Sequence, residues 1–147
     1  MAAILAAVMI LVSLGTALGD GPVATLPDGH RLALPEGMQE TGTDPTETGL
    51  EADWVLEPDL EMLIFSYEAG EATALSLAEG LTATGRKAEV REIGGTEFLV
   101  YQDTDEADGA LCVGYACRAG ERLIEISFFC GSQRAADLTR EIMESYQ

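Results

Sequence analysis

The sequence contains a single histidine, His30. A metal site built from several histidines is therefore excluded, and His30 could at most serve one Ser or Cys nucleophile. His30 stands beside Arg31 in a short segment, and no neighbouring residue organises a site around it. We therefore interpret His30 as an ordinary residue of the surface or of a strand edge.

Basic residues are also few. The chain has 8 Lys and Arg residues against 26 Asp and Glu residues, which gives a formal net charge of −18. Nucleic acid and anionic lipid surfaces would repel such a chain at long range, whereas a cationic protein or peptide would be attracted. Nucleic acid is therefore excluded as a partner. The charge serves either to attract a cationic partner or to provide solubility alone.

Cysteine is scarce as well, with only Cys112, Cys117 and Cys130. Three cysteines cannot all pair within one chain, although exported proteins usually pair theirs. The interval between Cys112 and Cys117 is longer than the C-x-x-C spacing of redox and zinc motifs. Either one thiol is free, or all three are small buried apolar residues.

No motif assigns a catalytic, cofactor-binding or metal-binding residue. The acidic segment 103–109, DTDEADG, fails as an EF-hand loop because Ala107 and Gly114 occupy ligand positions. Gly94-Gly95 has no following helix, so it is not a phosphate loop. With 26 acidic residues, neighbouring carboxylates are expected by chance, and a glycosidase pair cannot be chosen without geometry. We therefore expect no cofactor and no metal.

The one long apolar run lies at residues 2–12 and is followed by the small residues Ala17 and Gly19. This pattern predicts a cleaved signal peptide over residues 1–19. The alternative is an uncleaved N-terminal anchor, which would be the only attachment to a membrane. Either way, we expect an extracytoplasmic location, secreted or in the cell envelope.

The rest of the chain has the length of one domain with its own core. Residues 20–29 are rich in turn residues and are predicted to be a leader, and residues 30–147 a single α+β domain. Within it, residues 39–50 are predicted to be a polar loop that is either mobile or contains a short edge strand. The nearly continuous apolar run Leu60–Phe65 indicates a strand covered on both faces.

Two amphipathic helices are predicted. The first lies between Gly70 and Gly85, and the second runs from Gln133 to Tyr146 with Ser132 as its N-cap. The apolar stripe of the first helix has the spacing i, i+3, i+4, i+7. It consists of Ala74, Leu77, Ala78 and Leu81.

The clearest hairpin joins Ala110–Arg118 to Arg122–Cys130 through a turn at Ala119-Gly120, with Arg118 opposite Glu121. One face of this hairpin is bulky and apolar and includes Val113 and Ile126. The other face is small and mixed, as though a helix or loop partly covers it.

The same alternation orders the thiols. Cys112 is predicted to point away from the other two, and Cys117 and Cys130 are predicted to lie at opposite ends of one face. Because a bridge needs Cα atoms within about 7 Å, we predict no disulfide within the domain.

Strands joined by tight hairpins predict an antiparallel sheet. The predicted fold is α+β, with a sheet of about six to seven strands flanked by the two amphipathic helices, which is an α/β/α sandwich.

This layout resembles the PsbP-like α/β/α sandwich superfamily, which includes the nuclear Mog protein. The segment 34–38, LPEGM, is similar to the LPxGW motif that opens those domains, with Met in place of the aromatic residue. The segment 93–98, IGGTEF, resembles their glycine hairpin. The helix after LEMLIFSY and the strand LIEISFF before the last helix are also similarly placed. The resemblance implies a binding or assembly role rather than a shared reaction.

The function that we expect from the sequence is non-catalytic binding of a protein or peptide by an exported acidic domain. The predicted partner-binding surface is the loop 39–50 with Trp54, or the mixed sheet face near Leu123 and Phe129. An alternative is a small hydrolase that uses carboxylates, with or without a metal, in a cleft where two acids converge. A third hypothesis, a structural module of a larger assembly, requires a large exposed apolar patch.

Overall fold

The computed structural model describes residues 20–42, 49–104 and 109–147. The predicted signal peptide lies outside the described residues, as do parts of the loop 39–50 and of the acidic turn 103–109. None of the helices in the described ranges is long and apolar enough to cross a bilayer. The strands and helices are β1 Val23–Thr25, β2 Arg31–Ala33, β3 Gln39–Thr41, β4 Leu50–Leu56, β5 Leu60–Glu68, α1 Ala74–Ala83, β6 Lys87–Ile93, β7 Thr96–Thr104, β8 Leu111–Ala119, β9 Arg122–Cys130 and α2 Gln133–Glu144.

Seven of these strands form one sheet in the order β3-β4-β5-β9-β8-β7-β6, and every neighbouring pair is antiparallel. One face of this sheet, which we call the inner face, packs on α2. The opposite face, which we call the outer face, packs on α1. The predicted α+β sandwich is therefore confirmed.

The principal core lies on the inner face. Helix α2 begins at the N-cap Ser132, whose hydroxyl accepts a hydrogen bond from the backbone N–H of Ala135. The helix buries its apolar side, including Ile142 and Met143, against inner-face residues such as Phe128. This burial follows from the period of the helix, which brings positions three and four apart onto one side.

Residues 20–29, predicted as a leader, contribute strand β1 to the packed fold. Strand β1 pairs with β2 in a separate two-stranded sheet. Ala24 and Leu26 from this segment are buried in the principal core. Arg31 and Gln147 exchange two backbone hydrogen bonds, which attach this small sheet to the residue that follows α2.

The loop 39–50 contains the short edge strand β3, which is one of the two alternatives that the sequence left open. Strand β3 pairs with β4, with Thr41 opposite Asp53. All three of its side chains are exposed, which is consistent with its position at the sheet edge.

The β8–β9 hairpin has a different register from the predicted one. Arg118 lies opposite Leu123, and Ala119 lies opposite Arg122, so the turn is Gly120-Glu121. The backbone explains why the turn is Gly120-Glu121. Gly120 has a φ of 62°, and a type II′ turn requires a positive φ at its first central position. The difference is an even number of residues, so the predicted faces are retained. Val113 and Ile126 both point to the inner face.

Candidate functional site

Helix α1 covers only part of the outer face. It lies over β6, β7 and β8, where Ala74 and Ala78 pack against Leu99 and Ala116. The small side chains at these positions allow a close approach of helix and sheet. The outer-face positions of β4, β5 and β9 lie beyond this contact, and we call this region the open strip.

The open strip is largely apolar. Its apolar side chains are half-buried, except that of Phe129, which is exposed at 40%. The apolar run Leu60–Phe65 predicts a strand covered on both faces, but the residues of β5 from Leu60 to Tyr67 alternate between buried and half-buried. The members of the strip are Val55, Leu63, Phe65, Tyr67, Leu123 and Phe129.

Two of the predicted partner-binding residues lie in this strip. Leu123 and Phe129 are on the outer face at opposite ends of β9, opposite Tyr67 and Glu61 of β5 respectively. The rings of Phe65 and Tyr67 are stacked, with centroids 5.8 Å apart. The strip therefore runs the length of the strands, about 20 Å at 3.3 Å per residue.

Trp54, the third predicted partner-binding residue, belongs to the core instead. Its side chain is 9% exposed and joins the principal core, and the residue lies opposite Met62 of β5. Because side chains alternate along β4, Asp53 and Val55 face outward and Trp54 faces inward. Trp54 therefore offers almost no surface to a partner, and the prediction is corrected on this point.

A polar network separates the open strip from the part under α1. The hydroxyl of Tyr101 donates to Glu125 Oε1 at 2.6 Å, and the hydroxyl of Ser127 donates to the same atom at 3.1 Å. Burial, followed by the adjacent Glu125 carboxylate, raises the pKa of Tyr101. The phenol therefore remains a hydrogen-bond donor at neutral pH and holds Glu125 in place.

The thiol on this face is not activated. Cys112 is half-buried on the outer face, opposite Phe129 on one side and Asp103 on the other. Burial raises its pKa, and the negative charges of Asp103 and Glu125 raise it further. A thiol that stays protonated is a poor nucleophile. Cys117 and Cys130 are buried at opposite ends of the inner face of this hairpin, as predicted.

Asp53 carries an unsatisfied oxygen on the outer face. Within the described ranges, its Oδ1 is buried without a hydrogen-bond partner. The residue lies between Thr41 of β3 and Leu63 of β5. A buried carboxylate oxygen without a donor is costly.

Among the described residues, neither His30 nor a cluster of acidic side chains forms a metal site. His30 Nδ1 lies 2.8 Å from Asp28 Oδ2, and its ring stacks on Tyr146 at 4.6 Å, so the residue secures the β1–β2 segment to the end of the chain. Across the described ranges, no group of three or more His, Cys, Asp or Glu side chains could hold a metal ion.

The hydrolase alternative requires two carboxylates in one cleft. Glu68 and Glu121 do line one groove, near the turn of the β8–β9 hairpin, but they share it with Arg118 and Arg122. Both carboxylates are exposed. Exposed carboxylates do not have the apolar environment that tunes a catalytic acid.

No protein-family model and no curated protein matches the chain. Solved structures do match. The chain is similar to the solution structure of cyanobacterial PsbP (CyanoP) from Synechocystis sp. PCC 6803, with a TM-score of 0.62, 15% identity, and coverage of 88% of this chain and 95% of that chain. It is also similar to a crystal structure from Bacteroides thetaiotaomicron VPI-5482, with a TM-score of 0.61, 14% identity, and coverage of 86% of this chain and 48% of that chain. The chain therefore has a PsbP-like fold, as the resemblance predicted. At these identities the likeness concerns the fold alone.

Proposed function

We propose that this chain is an exported, non-catalytic domain that binds an extended, cationic segment of a partner protein or peptide on the open strip. The observation that carries the proposal is the half-exposed apolar surface over β4, β5 and β9, with Phe129 exposed at 40%. Apolar and aromatic side chains of this kind lose water when a partner covers them.

The charge of the strip supports a cationic partner. Carboxylates lie among its apolar side chains, at Asp53, Glu61 and Glu125. The whole chain carries a net charge of −18, which increases the encounter rate with a positively charged segment.

The length of the strip supports an extended segment. A strip of about 20 Å matches about six residues in extended conformation. Alternate side chains of such a segment would point toward the sheet. Apolar residues at every second position would contact the strip, and the long, flexible Lys side chains between them would reach the carboxylates that lie among its apolar side chains.

A peptide titration tests this proposal. The probe is an eight-residue peptide in which Lys and Phe alternate, and the comparison peptide has Glu in place of Lys. We expect the Lys peptide to bind the whole chain and the Glu peptide to show no binding. Phe129→Ser, which removes the aromatic anchor, should lower the affinity for the Lys peptide about tenfold. Each aromatic residue at an interface contributes on the order of 1–2 kcal/mol to the binding free energy.

The matched control is Leu75→Ser. Leu75 is another exposed apolar residue, at 57%, but it lies on α1 away from the strip. This variant should bind the Lys peptide as well as the unmodified chain does. Equal weakening by Phe129→Ser and Leu75→Ser, or equal binding of the Lys and Glu peptides, would show that attraction to the open strip is not the mechanism.

A further inference from the structure

The few basic residues of this chain are not evenly spread. Two adjoining grooves beside the edge strand β6 share Arg91, Val100 and Gln102 in their linings. Four of the 8 basic residues of the chain line these grooves. In a chain with 26 acidic residues, the linings of these two grooves contain these four basic residues and one acidic residue, Glu89. The four are Arg86, Lys87, Arg91 and Arg140.

The groove between α2 and strands β6, β7 and β8, which we call the arginine groove, has an apolar floor and polar walls. Its volume is about 250 Å³. The floor is formed by Val100, Val113 and Tyr115, which are buried members of the principal core. Arg91 from β6 and Arg140 from α2 line the groove on either side, and the side chains of Gln102 and Gln133 also line it.

Both guanidinium groups retain donors for a ligand. Arg91 contacts Glu89, and Arg140 Nη2 donates to Asp137 Oδ1 at 3.1 Å. All four side chains in these two pairs are about half exposed or more, so each pair is weak. An arginine has five N–H donors in a fixed fork. One contact with a rim carboxylate therefore leaves most of these donors unused.

The charges of both Arg91 and Arg140 influence Tyr115, which lies on the floor of the arginine groove. Burial raises the pKa of its phenol, the charges of Arg91 and Arg140 oppose that increase, and Cys130 and Glu144 add smaller increases. Two cations on different elements therefore act on the same hydroxyl. Such convergence of charge over an apolar floor is the arrangement that binds a small molecule with one anionic end.

We propose that the arginine groove binds an organic carboxylate, with the carboxylate between Arg91 and Arg140 and its apolar part on Val100, Val113 and Tyr115. Guanidinium and carboxylate form paired, charge-assisted hydrogen bonds. The apolar floor favours a ligand that is only partly charged, and the volume favours a small one. The groove lies on the inner side of the sheet, so this proposal does not depend on the open strip.

The test is a titration followed by amide NMR on the whole chain, with sodium benzoate as the probe at constant ionic strength. We expect saturable shifts at Gln102, Val113 and Gln133, which line the groove. Benzyl alcohol, which lacks the charge, and acetate, which lacks the ring, should each bind about tenfold more weakly. Shifts that do not saturate, or that centre elsewhere, would overturn the proposal.

Matched variants test the role of the two arginines. Arg91→Gln and Arg140→Gln should each lower the affinity for benzoate about tenfold, because each variant loses a charge-assisted hydrogen bond to the carboxylate. Arg134→Gln removes the same charge from an exposed position of the same helix outside the groove lining, so it should leave the affinity unchanged. Equal weakening by Arg134→Gln would show that only net charge matters and would refute the site.

A gain of affinity provides a further test. Glu89→Gln releases Arg91 from its rim carboxylate, and it should tighten benzoate binding about twofold to fivefold, the range expected for an exposed ion pair. Unchanged or weaker binding in this variant would contradict the proposed role of Arg91.

The natural carboxylate could be a small acid or the C-terminus of a peptide. A tripeptide that ends in Phe with a free carboxylate, compared with its amidated form, distinguishes these sources. If the free form binds more tightly than benzoate, the site accepts peptide ends. If benzoate binds more tightly, the site accepts small acids. Failure of all carboxylates to bind would reject both.

Discussion

Gly114 lies on the outer face of β8, at a position that has no room for a side chain. A Cβ at this position would lie 2.0 Å from the ring of Tyr101. That ring carries the hydroxyl that donates to Glu125. The glycine therefore leaves the space through which a tyrosine of β7 reaches a carboxylate of β9, across the intervening strand.

Gly114→Ala is expected to lower the free energy of unfolding by about 1–3 kcal/mol, because the Tyr101 ring must move from a packed position. Chemical denaturation measures the change. Gly80→Ala is the control, since a Cβ there meets nothing within 4 Å and alanine favours a helix by about 1 kcal/mol. The control should raise the stability. If Gly114→Ala is as stable as the unmodified chain, the ring does not depend on the missing Cβ.

At the scale of elements, Arg118 joins the β8–β9 hairpin to the start of α1. Its Nη1 donates to the backbone oxygens of Gly70 and Ala72, at 2.8 and 3.0 Å, and its Nε donates to the oxygen of Gly120 at 3.0 Å. Helix α1 itself begins with a reciprocal capping box between Thr73 and Ser76. Arg118 therefore fixes the position of the segment that leads into the helix.

Arg118→Ala is expected to destabilise the fold by about 1 kcal/mol, a typical net value for exposed hydrogen bonds, and to increase amide exchange in residues 70–78. Hydrogen exchange measured by mass spectrometry locates the effect. Arg118→Lys should restore only part of the protection, because an ammonium cannot make the forked contact. An effect spread evenly over both helices would contradict this local role.

At the scale of the whole molecule, the predicted export signal ends close to the start of the packed fold. Gly21 lies so near the backbone of Leu34 that a Cβ would meet its oxygen at 1.9 Å, and Leu34 donates a backbone hydrogen bond to Pro22. Residues 21 and 22 are therefore already part of the structure. Processing after residue 19 would release a domain with its first packed residues intact.

We expect the exported protein to begin at Asp20. The intact mass of the protein, measured after expression in a bacterial host with a signal peptidase, shows whether residues 1–19 have been removed. Replacing Ala17 and Gly19 together by Leu is the control, because large side chains do not fit the small-residue sites of the peptidase. This variant should keep its N-terminal segment. A protein that retains residues 1–19 without these replacements would instead support the uncleaved anchor.

The alternation of side chains along strands was the most informative part of the sequence. It correctly predicted that Val113 and Ile126 share the inner face, although the register of the hairpin was wrong. An error of an even number of residues changes which side chains lie opposite each other but leaves each on its face. The turn was misplaced because two neighbouring dipeptides contain Gly120, and only the positive φ of this residue decides between them.

The alternation of side chains could not predict which face Trp54 points to, or how much of β5 is covered by a helix. Alternation separates Trp54 from Asp53 and Val55, but it does not state which set faces the core. In the same way, the apolar run Leu60–Phe65 indicates burial without showing that α1 reaches only as far as β8. The direction of Trp54 depends on α2, which packs on the inner face, and the exposure of β5 depends on α1, which contacts only β6, β7 and β8 of the outer face.

The sequence by itself determined the acidic charge, the scarcity of histidine, the two amphipathic helices and the antiparallel sheet, since these follow from composition and from the periods of helix and strand. Only the tertiary structure decided which surfaces stay open and which distant residues meet. The packing of α2 on the inner face brings Arg140 to the same groove as Arg91, and the position of α1 over β6, β7 and β8 leaves the strip around Phe129 uncovered by that helix. Local periodicity carries no information about either arrangement, because both arise from contacts between elements far apart in the chain.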